Sequence, residues 1–341
     1  MIKVFTALSI QTVATMALIF LPPETTYAET FIPCQGKDML EVMRSNEPDR
    51  YAGLIERSSR IPNSQGRFWR IEKSGVEPSF LFGTVHLADK DLSILPPILI
   101  ETIKKSRLVY LETPDIGSQN ADDAIKLVAQ VGMLKGGKTL RGLMDRADYD
   151  KVSNHLAARG MQIELFNTMK PWLVAMTAML PSCEIAMQIV KTPVVDARIG
   201  LLAHEVGTPL KGLETTAEQL SYFNEISIED QIGMLTDLAK LTVDTINDSH
   251  RTMINMYQTG NIGLLWTSSI DIFQVDPNDP FLLFFEKRLL EDRNKIMFER
   301  SVEEVRKGDI LVAVGAAHLI GETGLVAQYR DAGFTVTKIL D

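Results

Sequence analysis

The chain has 341 residues, 45% of them hydrophobic and 23% charged, with a formal net charge of -9. That balance belongs to a folded chain with a substantial core, and it excludes collagenous, disordered and cysteine-rich classes. An acidic chain with no Lys/Arg-rich run is a poor partner for nucleic acid or an anionic membrane.

The first 28 residues read as a secretory signal peptide. Lys3 supplies a short positive region, Val4 to Leu21 is uncharged and mostly apolar, Pro22-Pro23 break any helix, and Thr26-Tyr27-Ala28 resembles a cleavage site. An uncleaved anchor is the alternative, weakened by Thr6, Ser9, Gln11, Thr12 and Thr15 within the run. Cys34 follows Ile32-Pro33 rather than the small residues of a lipid-attachment site. The expectation is a secreted or periplasmic protein, residues 29–341, with no stable membrane insertion once the signal is removed. The only cysteines are Cys34 and Cys183. In an exported chain an even count predicts a disulfide; two buried free thiols are the reading if export is wrong.

Short helices with apolar residues at helical spacing, Met39, Leu40 and Met43 among them, open the mature chain. Arg67 to Glu72 alternates and predicts a strand, followed by a turn near Gly75 and Pro78 and an apolar strand at Phe80-Leu81-Phe82. "LPPILIETIKKS" is a helix opened by Pro96-Pro97, and "RLVYLET" a buried strand ending on Glu112. Residues 119–203 and 220–307 are largely helical. The first block includes a helix stopped at Gly160, the apolar "KPWLVAMTAML" and a helix ending at Gly207; Met169 to Met187 reads as core packing. "PLKGLE" is a strand, and Thr215-x-x-Glu218 is a capping box. Ser227 to Tyr257 reads as one long amphipathic run and Phe281 to Lys307 as another long helix. A strand at Asp309 to Val314, a helix at Thr323 to Ala332 and a strand at Phe334 to Ile339 close the chain. Strands separated by helices predict an α/β fold: a central mixed sheet with flanking helices and a helical cap.

Four predicted strands end on polar groups: His86, Glu112, Glu214 and His318. Ligands in open α/β sheets bind beyond the carboxyl ends of strands. Two of these endings share one grammar, an apolar strand followed by Gly-x-x-His, at Gly83–His86 and Gly315–His318. Glycine there lets the backbone bend sharply or come close to whatever the histidine holds. Two imidazoles and a carboxylate suit a divalent cation with positions left for water and substrate, so His86, Glu112 and His318 are the candidate metal ligands. Asp196, at a helix start, reads as a cap; His155 and His250 read as lying on polar helix faces, and His204 as a helix-terminal residue. The sequence has no Gly-x-Ser-x-Gly elbow, Walker loop or His-Glu-x-x-His helix.

The segments "SFLFGTVHLADKDL", "LVYLETPD", "PLKGLETTAEQL", "EDRNKIM" and "ILVAVGAAHLIGETGLVAQYRDAGF" resemble the TraB/PrgY/GumN family, which includes the Tiki metalloproteases, over roughly Phe68 to Ile339. The resemblance implies two pseudo-repeated halves, each with a strand-Gly-x-x-His motif. It implies a metal-dependent hydrolase, in Tiki proteins a peptidase preferring manganese or cobalt to zinc, with a peptide or protein substrate. The family's motif histidines fall on His86 and His318, its acidic residue on Glu112, its Gly-Leu-Glu-Thr segment on Gly212 to Thr215, and its Arg-Asn pair on Arg293 and Asn294. Glu214 is then the candidate general base, Arg293 a holder of an oxyanion or substrate carboxylate, and Asn294 a further donor. A protein that holds metal or haem without turnover, or that sequesters a peptide, is the alternative reading.

Overall fold

The computed structural model describes residues 34–89, 92, 94–113, 121–190, 192–273 and 278–340. The signal-peptide reading falls on residues 1–28, outside the described residues. Among the described residues no helix is long and apolar enough to cross a membrane.

Six strands form one mixed sheet: β1 (Phe68–Glu72), β2 (Ser79–Thr84), β3 (Leu108–Leu111), β4 (Leu210–Gly212), β5 (Ile310–Gly315) and β6 (Thr335–Leu340), in the order β4-β3-β5-β2-β1-β6. The first four strands in that row are mutually parallel, while β1 runs antiparallel to both β2 and β6. β3 and β5 are buried at every residue. Such strands read as continuous apolar runs because helices cover both faces of the sheet.

Alternate residues of the strands enter two different cores. Phe82, Val109, Leu311 and Ala313 pack with Leu99, Ile199 and Tyr257 on one face. Leu81, Tyr110, Val312 and Val314 pack with Met297, Val326 and Tyr329 on the other. A third core lies entirely among helices, where Trp172 stacks on Phe223 with ring centroids 5.1 Å apart. Met169 and Met176 are buried there, in keeping with the packing role read from the sequence.

Two helical expectations need correction. The run from Ser227 to Tyr257 is two helices, Ile228–Leu238 and Val243–Gln258. Thr242 restarts the chain as an N-cap, its hydroxyl accepting from the Thr245 N–H, while Leu241 turns into the helical core. The segment from 280 to 307 is helical but not uniform: Pro280–Phe284, then a π-helical stretch Phe285–Glu291, then Asp292–Lys307. The capping box is present in full, with Thr215 and Glu218 each serving the other's backbone N–H. Gly207 closes its helix in the left-handed conformation, φ 76°.

Cys34 and Cys183 form a disulfide across 149 residues of chain, tying the segment before the helix Met39–Asn46 to the helix Ser182–Ile189.

Candidate functional site

The parallel row β4-β3-β5-β2 delivers its four polar endings to one edge of the sheet, in the spatial order Glu214, Glu112, His318, His86. The residues that sequence reasoning singled out are therefore neighbours in space despite lying up to 232 residues apart. Thr84 is in register with Gly315, so the two Gly-x-x-His motifs leave adjacent strands side by side. All four residues are buried.

The two motif glycines serve close approach rather than unusual backbone angles. Neither has a positive φ. A Cβ on Gly83 would meet Leu319 Cδ1 at 2.8 Å and the Ala316 Cα at 3.0 Å; one on Gly315 would meet Glu112 Oε1 at 2.9 Å. The Gly315 N–H donates to that same oxygen at 2.6 Å.

Arg293, at the start of the helix Asp292–Lys307, binds the two carboxylates together. Its Nη2 donates to Glu112 Oε2 at 2.8 Å and to Glu214 Oε2 at 2.7 Å, and its Nε donates to Glu214 at 2.9 Å. Gln219 adds hydrogen bonds to Glu112 Oε2 at 3.0 Å and to Glu214 Oε2 at 3.3 Å. Burial opposes charge on Glu112, but Arg293 and the nearby imidazoles outweigh it and hold this carboxyl well below the usual carboxylate range.

The His318 tautomer follows from its partner. Asn294 Nδ2 donates to the Thr323 carbonyl, which leaves Asn294 Oδ1 facing His318 Nδ1 at 2.6 Å. An amide oxygen only accepts, so Nδ1 carries the proton and Nε2 a lone pair. Burial, with Arg293 nearby, pushes this imidazole down to about 3, so it is neutral at pH 7. His318 Nε2 has no hydrogen-bond partner among the described residues and lies 3.7 Å from Glu112 Oε1. Two electron-rich atoms thus face one another in a buried space.

His86 is oriented differently. Its Nδ1 is 2.9 Å from Asp196 Oδ2, and Thr84 Oγ1 donates to Asp196 Oδ1 at 2.7 Å. Burial lowers the His86 pKa, but the Asp196 carboxylate more than compensates and the net shift is upward. Asp196 is not a helix cap, as sequence reasoning had it. Val194 is the N-cap of that helix, and Asp196 is a fully buried partner of the first motif histidine. The carboxylate–imidazole arrangement is the one that aims a metal-ligating ring nitrogen.

The profile of the TraB/PrgY/gumN family matches residues 67–338, most of the chain. The chain belongs to the TraB/PrgY/gumN family. No curated protein and no solved structure matches it. In this TraB/PrgY/gumN chain, Asp196 and Gln219 are site members that sequence reasoning missed. Asp196 had a faint signal, an acid inside the apolar "PVVDARIGLL". Gln219 had none, because the capping box already explained its surroundings.

A second buried polar group braces the loop that carries His86. Glu184 accepts from the Ala88 N–H at 2.7 Å and from Gln188 at 3.0 Å, and lies 3.3 Å from His250 Nε2. His155 and His250, expected on polar faces, are both buried. Each sits on the inward side of its helix where a neighbouring element supplies polar atoms. His250 also converges with Cys34 and Cys183, but both sulfurs are committed to the disulfide.

Proposed function

We propose that His86, Glu112 and His318 hold one divalent cation and that the protein is a metal-dependent hydrolase acting on peptides outside the cytoplasm. Manganese or cobalt ranks ahead of zinc by family resemblance. The observation that carries this reading is the His318 Nε2 lone pair facing Glu112 Oε1 at 3.7 Å without a proton between them. Such a pair is repulsive when buried unless a cation joins it. The formal charges agree. With both imidazoles neutral, as metal ligation requires, Glu112, Glu214 and Asp196 set against Arg293 leave two negative charges in a buried cluster, the deficit that a divalent ion cancels.

A cation bound there supplies Lewis acidity and makes water acidic near neutral pH. The chain's own residues do the rest. Asp196 and Asn294 fix the tautomers of His86 and His318. Arg293, with its fork spent on Glu112 and Glu214, positions those carboxylates rather than gripping substrate. Glu214, next in the row after Glu112, is the acceptor for a proton. Asn294 spends both ends of its amide on His318 and Thr323, so it too orients rather than donates to substrate. The doubled strand-Gly-x-x-His unit supports two pseudo-repeated halves, and the disulfide supports an oxidising, secreted or periplasmic setting.

The test is metal content by elemental analysis, with Mn²⁺-dependent stabilisation as a second readout. Wild type is expected to co-purify with metal and to gain about 2.7 kcal/mol at a hundredfold excess over Kd. His318→Ala should show neither, and metal-dependent cleavage in a peptide library should be lost with it. A folded wild type that binds no divalent ion overturns the proposal. Bound metal without cleavage of any peptide would leave a metal-holding regulatory protein.

A further inference from the structure

A cleft of about 320 Å³ opens on the Asn294 side of the cluster. Its floor includes Asn294 and Ala317, the first hydrogen-bonded to His318 and the second its chain neighbour. Its walls are apolar, with Ile262, Leu265, Trp266, Phe285, Leu290 and Ile320. Three carboxylates, Glu286, Glu291 and Glu322, complete the lining, and no Lys or Arg is among the described lining residues. Glu291 shares a salt bridge with Lys287 at 3.1 Å, whereas Glu286 and Glu322 make no ion pair among the described residues.

The π-helical stretch explains how one helix supplies so much of this lining. Phe285 and Glu286 line the cleft, and so do Leu290 and Glu291, five residues further on. In an α-helix, positions five apart point about 140° away from each other. The i to i+5 spacing of the π-helix stacks them on one face instead. Resumption of the α-helix at Asp292 then puts Arg293 and Asn294 into the cluster. One irregularity thus builds the cleft wall and seats the site residues.

We propose that this cleft is a specificity subsite that takes a large apolar side chain of a peptide together with an adjacent Lys or Arg, the apolar group seated against Trp266 and Leu290 and the cation held at Glu286 and Glu322. This rests on the peptide-hydrolase reading. The occupant follows from size and charge. The volume is at the lower end of the 300 to 1,000 Å³ typical of ligand clefts, enough for a side chain and its neighbour. The unpaired rim carboxylates complement a cation and repel an acid. Burial, with Glu291 close by, raises the Glu286 pKa, and an arriving cation relieves that unfavourable environment.

The experiment uses EDTA-treated full-length protein, so that binding is read without turnover. Capped, amidated peptides centred on Phe-Arg, Arg-Phe, Phe-Gln, Phe-Glu and Gly-Arg are titrated, with Trp266 fluorescence as the readout; Trp69 and Trp172 are buried elsewhere. The peptides containing both Phe and Arg should bind at least about tenfold more tightly than Phe-Glu and Gly-Arg. Glu286→Gln/Glu322→Gln should bring Phe-Arg to within about twofold of Phe-Gln while leaving the thermal midpoint unchanged. Equal affinity across the series, absence of binding, or discrimination that survives the double substitution would overturn the subsite. Selective binding by a protein that never cleaves would sink the hydrolase reading alone.

Discussion

Arg293→Met removes the only guanidinium that contacts both Glu112 and Glu214 among the described residues. Its side chain is 4% exposed, and those of its partners are 2% and 1% exposed, so water does not replace it. Stripping one partner from a buried ion pair costs about 3–5 kcal/mol, mostly the penalty of the charge left behind. Two carboxylates are left here, so the upper end of that range is expected in EDTA. Adding Glu214→Gln removes one of those charges and should recover about 1–3 kcal/mol, a positive coupling between adjacent sites. Urea unfolding followed by circular dichroism measures both substitutions, with metal-free wild type as the reference. A cost below about 1 kcal/mol for Arg293→Met would refute the buried triad. So would a double variant less stable than Arg293→Met alone.

Gly315→Ala places a methyl group 2.9 Å from Glu112 Oε1, and the resulting strain is expected to cost about 1–3 kcal/mol and to lower metal content, measured by urea midpoint and elemental analysis. Reducing the disulfide releases a loop closed over a separation of 149 residues, and the midpoint should fall by the equivalent of about 4–5 kcal/mol on dithiothreitol treatment, with no change in a Cys34→Ser/Cys183→Ser control. Burial, then Arg159, lowers the His155 pKa, so the folded protein refuses a proton that the unfolded chain accepts below about 6.5. Stability is therefore lost as pH falls through that value toward the folded pKa, and His155→Gln should lose less between pH 7 and pH 5 in the same urea assay.

The central strands β2, β3 and β5 were legible because both faces of the sheet are covered there. Continuous runs such as "ILVAVG" have no other home in a chain of this composition. The strand-terminal residues were legible for a related reason: a polar group interrupting a buried run needs a partner or a ligand. Helix punctuation was less faithful. The break at Ala239 to Thr242 hides inside a continuous apolar periodicity, since Leu241 is as buried as its helical neighbours. The π-helical turn left no mark in the sequence, because its hydrogen bonds shift by one residue while composition stays helical.

The linear chain by itself determined which segments become strands, that two Gly-x-x-His motifs end two of them, and which acids and imidazoles stand at the strand ends. These follow from local pattern, the part of folding written in neighbouring residues. Only the tertiary structure decided that β2 and β5 lie side by side, that Asp196, in the first turn of its helix, meets His86, and that Arg293 holds Glu112 and Glu214 together. Those pairings join residues 79 to 231 positions apart, where no sequence period reaches and the burial of charge selects the partner.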